Sequence, residues 1–278
     1  MGSGKATTAA ASGFAALARS PFYVESGGQV SDAGRLYAES GAFTAEVAGL
    51  AKVPGWPRLH QVRVEQGVVG AGDLVTAEVR DDLRDATRRN HTATHLLHAA
   101  LRRALGPQVK QAGSLVSPDR LRFDFVHHAP LTRDELDEVE RLVTAEVCRN
   151  TPVQTELRSQ QEAVAAGAMA LFGEKYGDTV RVVSVPGFSM ELCGGTHCRA
   201  TGDIGPFVIL QEGGIAASVR RIEALTGLGA LRHLQAQHAA LAAVLARLNV
   251  APAQAGDAVD RLQAEVKRLG RELAQVKM

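Results

Sequence analysis

The chain has 278 residues, 45% hydrophobic and 22% charged, which is enough for one large domain or two smaller ones with buried cores, plus an appendage. The formal net charge of +1 leaves no overall electrostatic footprint of a non-specific nucleic-acid binder, so any RNA contact has to be local. No segment approaches the roughly 20 apolar residues of a membrane span. The cysteines Cys148, Cys193 and Cys198, odd in number and without a signal peptide, exclude a disulfide framework and fit a reducing cytoplasm.

Residues 1–15 are small, polar and aperiodic, and read as a flexible tail. The Gly4-Lys5 pair within them lacks the first glycine and the preceding strand of a phosphate loop. The stretch from Pro21 to Gln29 is too glycine-rich for a regular element and reads as a shaped loop, either a structural turn or the wall of a cleft. From Leu36 to Arg80 the apolar residues alternate, with Phe43, Ala45 and Val47, then Val62 and Val64, then Val75, Ala77 and Val79; short strands between turns predict a small β-barrel.

Helical spacing takes over near Asp85, with Ala93, Leu96, Leu97, Ala100, Leu101 and Ala104 on one stripe and Gly106-Pro107 as the stop. Capping boxes at Thr132 to Glu135 and Ser159 to Glu162 open two further helices, the first ending at Thr151-Pro152. Strand-like runs at Leu121–Val126, Thr179–Val185 and 206–210 make this region a mixed α+β domain. At the C-terminal end Leu231, Leu234, His238, Leu241, Leu245 and Leu248 follow a 3-4 spacing, as do Val259, Leu262, Val266, Leu269, Leu273 and Val276. These seams predict two helices folded back as an antiparallel hairpin, or paired with a second copy. The last stops at Met278 in mid-pattern, as a truncation would.

The chemistry concentrates in two pairs. His91 and His95 stand at i and i+4 on the first helix, nearly opposite the apolar stripe, so that both rings project from one side as two ligands of one metal must; a solvated histidine face, to which His98 would belong, is the alternative. Cys193 and His197 share that spacing on a Gly-Gly turn, and thiolate plus imidazole suits zinc. Cys148 reads as a buried inert cysteine, and Cys198 as turned away from His197. A zinc peptidase is excluded because Thr92 follows the first histidine where a glutamate is needed. The arginine pairs Arg88/Arg89, Arg102/Arg103 and Arg220/Arg221 are local candidates for RNA contact, or simply solvated faces.

The chain resembles the editing region of alanyl-tRNA synthetase and its free-standing relatives, the AlaX deacylases. The resemblance rests on Ser20-Pro-Phe-Tyr-Val-Glu-Ser-Gly-Gly-Gln29, His91-Thr-Ala-Thr-His95, Gln111-Ala-Gly-Ser-Leu115, Arg122-Phe-Asp-Phe125, Gly167-Ala-Met-Ala-Leu-Phe-Gly173, Glu191-Leu-Cys-Gly-Gly-Thr-His197 and Arg220-Arg-Ile-Glu-Ala224, in that order. Val24 and Ser218 depart from residues common in the family and touch no expected ligand.

The resemblance implies hydrolysis of serine or glycine from mischarged alanine tRNA at a Zn2+ site of His91, His95, Cys193 and His197. Thr94 and Gln111 match positions lining the amino-acid pocket, and Arg88, Arg89, Arg220 and Arg221 are the tRNA-binding candidates. With no aminoacylation domain before the barrel, the chain is expected to deacylate but not to charge tRNA. The competing expectation is a zinc-stapled tRNA-binding module without catalysis. The expected organisation is α+β: a tail over 1–15, the glycine-rich loop and β-barrel over 16–84, the zinc editing domain over 85–227, and the helical hairpin over 228–278, with a homodimer through the last helices as one arrangement and no membrane anchor.

Overall fold

The computed structural model describes residues 11–169 and 177–277. Most of the expected tail, and the end of the Gly167–Gly173 motif from residue 170, lie outside these. Residues 12–15 of that tail form a strand instead, β1 (Ser12–Ala16), paired antiparallel to β4 (Leu59–Gln66).

With β2 (Gly34–Tyr37), β3 (Thr44–Ala51) and β5 (Thr76–Val79), these make a five-stranded sheet in the order β1-β4-β3-β2-β5. The alternation read from the sequence places Leu36, Phe43, Ala45, Val47 and Val62 in one core with Phe22. The sheet is not the closed barrel expected. Its edge strands β1 and β5 do not pair, and a cavity of about 400 Å³ lies between Phe14–Leu17 and the 69–75 segment leading into β5.

α1 (Asp81–Leu105) begins four residues before the expected start and ends at Gly106, whose φ of 112° suits only glycine. It is the central element of a second core. From Asn90 to Leu101 it is buried around its whole circumference. It packs on α2 (Arg133–Arg149) and on a sheet ordered β11-β12-β7-β6, built from β6 (Gln111–Val116), β7 (Leu121–Val126), β11 (Phe207–Ala216) and β12 (Val219–Thr226). Both capping boxes form as read: Thr132 caps α2, and Ser159 caps the short α3 (Gln160–Ala165). A three-stranded sheet of β8 (Gln154–Ser159), β9 (Thr179–Val185) and β10 (Ser189–Leu192) lies beside α1, with β10 in contact with the helix.

The described residues up to Ala230 form one compact unit, and those from Leu231 a second. In the second, α4 (Gly227–Leu248) and α5 (Ala255–Val276) carry the expected leucine spacing, but not as a packed hairpin. Leu234, Leu241, Leu262, Leu269 and Leu273 are all exposed. Near the bend a hollow is lined by Leu248 and Val250 on one side and Ala258 and Leu262 on the other. The seams therefore do not cover each other, and an apolar seam is stable only against another surface. Among the described residues no helix is long and apolar enough to cross a membrane.

Candidate metal centre

The face of α1 that carries His91 and His95 does not meet solvent. β10 and the turn after it cover that face, so both histidines and His98 are buried. That corrects the sequence expectation in one respect: the histidines lie off the apolar stripe yet inside the protein. The Gly194-Gly195 turn following β10 brings Cys193 and His197 to the same spot. Cys193 Sγ lies 3.4 Å from His91 Nε2 and 3.3 Å from His197 Nε2. One ligand atom from each of His91, His95, Cys193 and His197 falls within 4.8 Å of every other.

These separations suit a tetrahedral zinc, whose bond lengths put nitrogen and sulfur ligands roughly 3.5 Å apart. The outward nitrogens agree with such a site. His91 Nδ1 lies 2.7 Å from Gln29 Oε1, which also accepts from the Thr196 amide at 2.9 Å. His95 Nδ1 lies 2.7 Å from Glu191 Oε2. His197 Nδ1 lies 3.3 Å from Thr92 Oγ1, whose own proton goes to the Arg88 carbonyl at 2.9 Å, so the histidine is the donor. With Nδ1 of His91 and His197 on acceptors, Nε2 of each presents a lone pair inward, while Nδ1 of His95 lies at ion-pair distance from Glu191. Both ring nitrogens of His95 are buried without a geometrically satisfied hydrogen bond among the described residues, which leaves Nε2 available to a metal.

The electrostatics are those of a site built around a cation. Burial raises the Cys193 thiol, but His91, His197 and His95 outweigh it and hold the group well below the usual thiol range. Burial pushes His197 down to about 3, aided by His91. At His95 burial is overcome by Glu191 and Cys193, which push it up to about 10. Glu191 is buried too, yet His95 and His98 hold its carboxyl well below the usual range. Cys198 behaves differently, for it is turned into the main core, where burial pushes it up to about 11. Cys148, expected to be buried, is exposed near the end of α2.

Gln29, Thr92 and Glu191 had no assigned role at the metal centre in the sequence reading, and Gly195 had one only as part of the turn. The glycine-rich loop is the wall expected as one alternative: its backbone pairs with Val116 of β6, which seats the fully buried Gln29 against His91. Glu191 could have been suspected from its place two residues before Cys193, since alternate strand residues share a face.

The other candidates stand as follows. Thr94 is buried on α1, its hydroxyl donating to the Asn90 carbonyl at 2.8 Å. Gln111 Nε2 donates to Ser114 Oγ at 3.1 Å, beside the glycine-rich loop. Arg88 and Arg89 line a polar cavity of about 470 Å³ with Arg199, Asp203 and His197, the least buried member of the cluster. Arg220 and Arg221 lie elsewhere, on β12, each forked onto a carboxylate: Glu212 at 2.5 and 2.7 Å, and Asp124 at 2.7 and 2.9 Å.

Fold and cluster together define an α+β protein with a nitrogen- and sulfur-lined pocket suited to a zinc-type metal. Residues 180–223 match the family described as the threonyl and alanyl tRNA synthetase second additional domain. The chain is 53% identical to the alanine–tRNA ligase of Solibacter usitatus (strain Ellin6076) over 94% of its own length and 30% of that protein's. It is 49% identical to the enzymes of Acidovorax sp. (strain JS42) and Acidithiobacillus ferridurans, over 96% and 95% of its length and 30% of theirs. These matches bear out the resemblance to the editing region of alanyl-tRNA synthetase, and the chain spans under a third of the relatives' length.

Proposed function

We propose that the chain hydrolyses the ester joining serine or glycine to the terminal adenosine of alanine tRNA, at a zinc site held by His91, His95, Cys193 and His197. The observation that carries this reading is the buried convergence of three imidazoles and a thiolate whose outward nitrogens already face acceptors. Zinc in such a place supplies Lewis acidity toward an ester carbonyl and acidifies water. His197 borders the cavity that also holds Arg88 and Arg89, a route by which the end of a polyanion can reach the cluster. Arg220 and Arg221 are the weaker candidates for tRNA contact, since each is already forked onto a carboxylate that a phosphate would have to displace.

Discrimination falls to Thr94 and Gln111. Gln111 Oε1 accepts no hydrogen bond among the described residues, so a serine hydroxyl can donate to it; alanine leaves it unpaired.

A second reading has one observation in its favour. Four protein donors complete a tetrahedron, which is the hallmark of structural zinc, and the chain would then be a zinc-stapled tRNA-binding module. Deacylation of Ser-, Gly- and Ala-charged tRNA, with and without a chelator and in His95→Ala, decides between them. Loss of Ser-tRNA turnover on removing zinc, with the fold retained by circular dichroism, is expected; turnover that survives complete zinc removal overturns the metal-site reading. The exposed leucine seams also favour a homodimer through the last helices, which sedimentation at varied concentration tests.

A further inference from the structure

Glu191 is a carboxylate with 1% exposure and no lysine or arginine against it among the described residues. Its polar neighbours are His95 Nδ1, 2.7 Å from Oε2, and His98 Nδ1 and Ser189 Oγ, 3.2 and 3.3 Å from Oε1. A buried carboxylate is strongly unfavourable unless hydrogen-bond donors or a cation lie close by, and here the two histidines and a serine are what surrounds it. Cys193 brings a second negative charge to the same interior once it ligates a metal. A divalent cation held by the cluster would offset both charges, in place of a proton on His95.

His98 belongs to the same chain of contacts. It is buried, its Nε2 has no hydrogen-bond partner among the described residues, and its ring lies 5.3 Å from that of Phe123. The polar use of this histidine is therefore the contact with Glu191, for packing alone would be served by leucine.

We propose that Glu191 and His98 are positioning residues of the metal centre: His98 clamps one carboxylate oxygen so that the other fixes the His95 ring with Nε2 turned to the cluster, and the carboxylate supplies half of the charge that a divalent ion neutralises. This rests on the zinc reading of the cluster and extends it to residues that do not touch the metal.

The test uses the full chain. Zinc affinity is measured by competition with a chromophoric chelator, and the ligand geometry by the thiolate-to-metal absorption of the cobalt-substituted protein. Glu191→Gln and His98→Leu are each expected to weaken zinc binding about 10- to 100-fold, the range found when a partner of a ligating histidine is lost, and to shift the cobalt bands. His98→Asn, whose amide N–H can take the place of Nδ1–H, is expected to restore most of the affinity. If His98→Leu does not fold by circular dichroism, the isosteric Glu191→Gln carries the test. Wild-type affinity and unchanged cobalt bands in Glu191→Gln overturn the proposal, as does His98→Asn behaving no better than a folded His98→Leu. A wild-type chain that takes up no zinc overturns instead the reading on which the proposal stands.

Discussion

Gly195 lies so close to His91 that a Cβ on it would overlap Cε1 and Nδ1 of the imidazole and approach Gln29 Oε1 to 2.8 Å. The turn bearing Cys193 and His197 is thus pressed onto the helix bearing the other two histidines, with no room for a methyl group. Gly195→Ala must displace the His91 ring or the turn. Overpacking of this kind costs about 1–3 kcal/mol, and zinc affinity should fall at least about tenfold because the ring cannot move without leaving Gln29. Gly194→Ala is the control, since nothing lies within 4 Å of a Cβ there. Chelator competition on both variants checks this; equal affinities would show that the close approach does not matter to the site.

The cysteines should separate by reactivity. Cys198 is pushed up to about 11 by burial, so at pH 8 only about one in a thousand is thiolate in the folded chain. Cys148 is exposed and should alkylate readily, and Cys193, held low by its histidines, should alkylate once metal is removed. Mass mapping after iodoacetamide treatment, with and without chelator, reads all three. The sign of the pH effect follows. Folding raises the Cys198 pKa, so its contribution to stability is complete below the unfolded value near 9 and is lost as pH climbs through about 11. Unfolding in urea should thus become easier between pH 9 and 11, by roughly 2–3 kcal/mol, and less so in Cys198→Ala.

Asp32 ties the glycine-rich loop to the start of α1. It accepts from the Tyr23 amide at 2.5 Å and is forked onto Arg84, with Nε 3.2 Å from Oδ1, and both side chains are largely buried. Asp32→Ala leaves Arg84 buried with only the Pro21 carbonyl at 2.7 Å, and the loss should be about 3 kcal/mol in urea titrations. Because that loop carries Gln29, zinc affinity should fall with it. A variant with unchanged stability would mean that the Arg84 pair is dispensable.

The two halves of the metal cluster were legible because each depends on local geometry. His91 and His95 are one helical turn apart, and Cys193 and His197 flank a glycine pair that can only be a turn. What orients them was not legible, because Gln29 meets His91 across 62 residues and Glu191 meets His98 across 93, and no local pattern encodes such meetings. The strands of the first sheet followed their alternation, whereas its closure depended on whether the short edges β1 and β5 could meet, and periodicity says nothing of that. The leucine seams of α4 and α5 marked helices correctly but did not reveal what covers them, since one stripe serves a hairpin and a partner chain alike.

The arginines divide by what already holds them. Arg220 and Arg221 each make two hydrogen bonds to one carboxylate, and a phosphate could engage them only by displacing Glu212 or Asp124. Arg221→Ala should therefore act on stability, by about 1.5–3 kcal/mol for the lost charged hydrogen bonds, and leave tRNA affinity nearly unchanged. Among the described residues Arg88 pairs only with Asp85, at 2.8 Å and half in solvent, which is worth less than about 1 kcal/mol and is readily exchanged for a phosphate. Arg89, on the same cavity wall as His197, has no ion-pair partner among the described residues. Alanine at either position should weaken tRNA binding and lower the slope of log K against log salt by about one each, with little change in melting temperature. Filter binding of uncharged tRNA across a salt series, run beside thermal melts of the four single variants, separates the groups. A shallower salt slope in Arg221→Ala at unchanged melting would move the RNA-contacting surface from the cavity beside His197 to the face of β12.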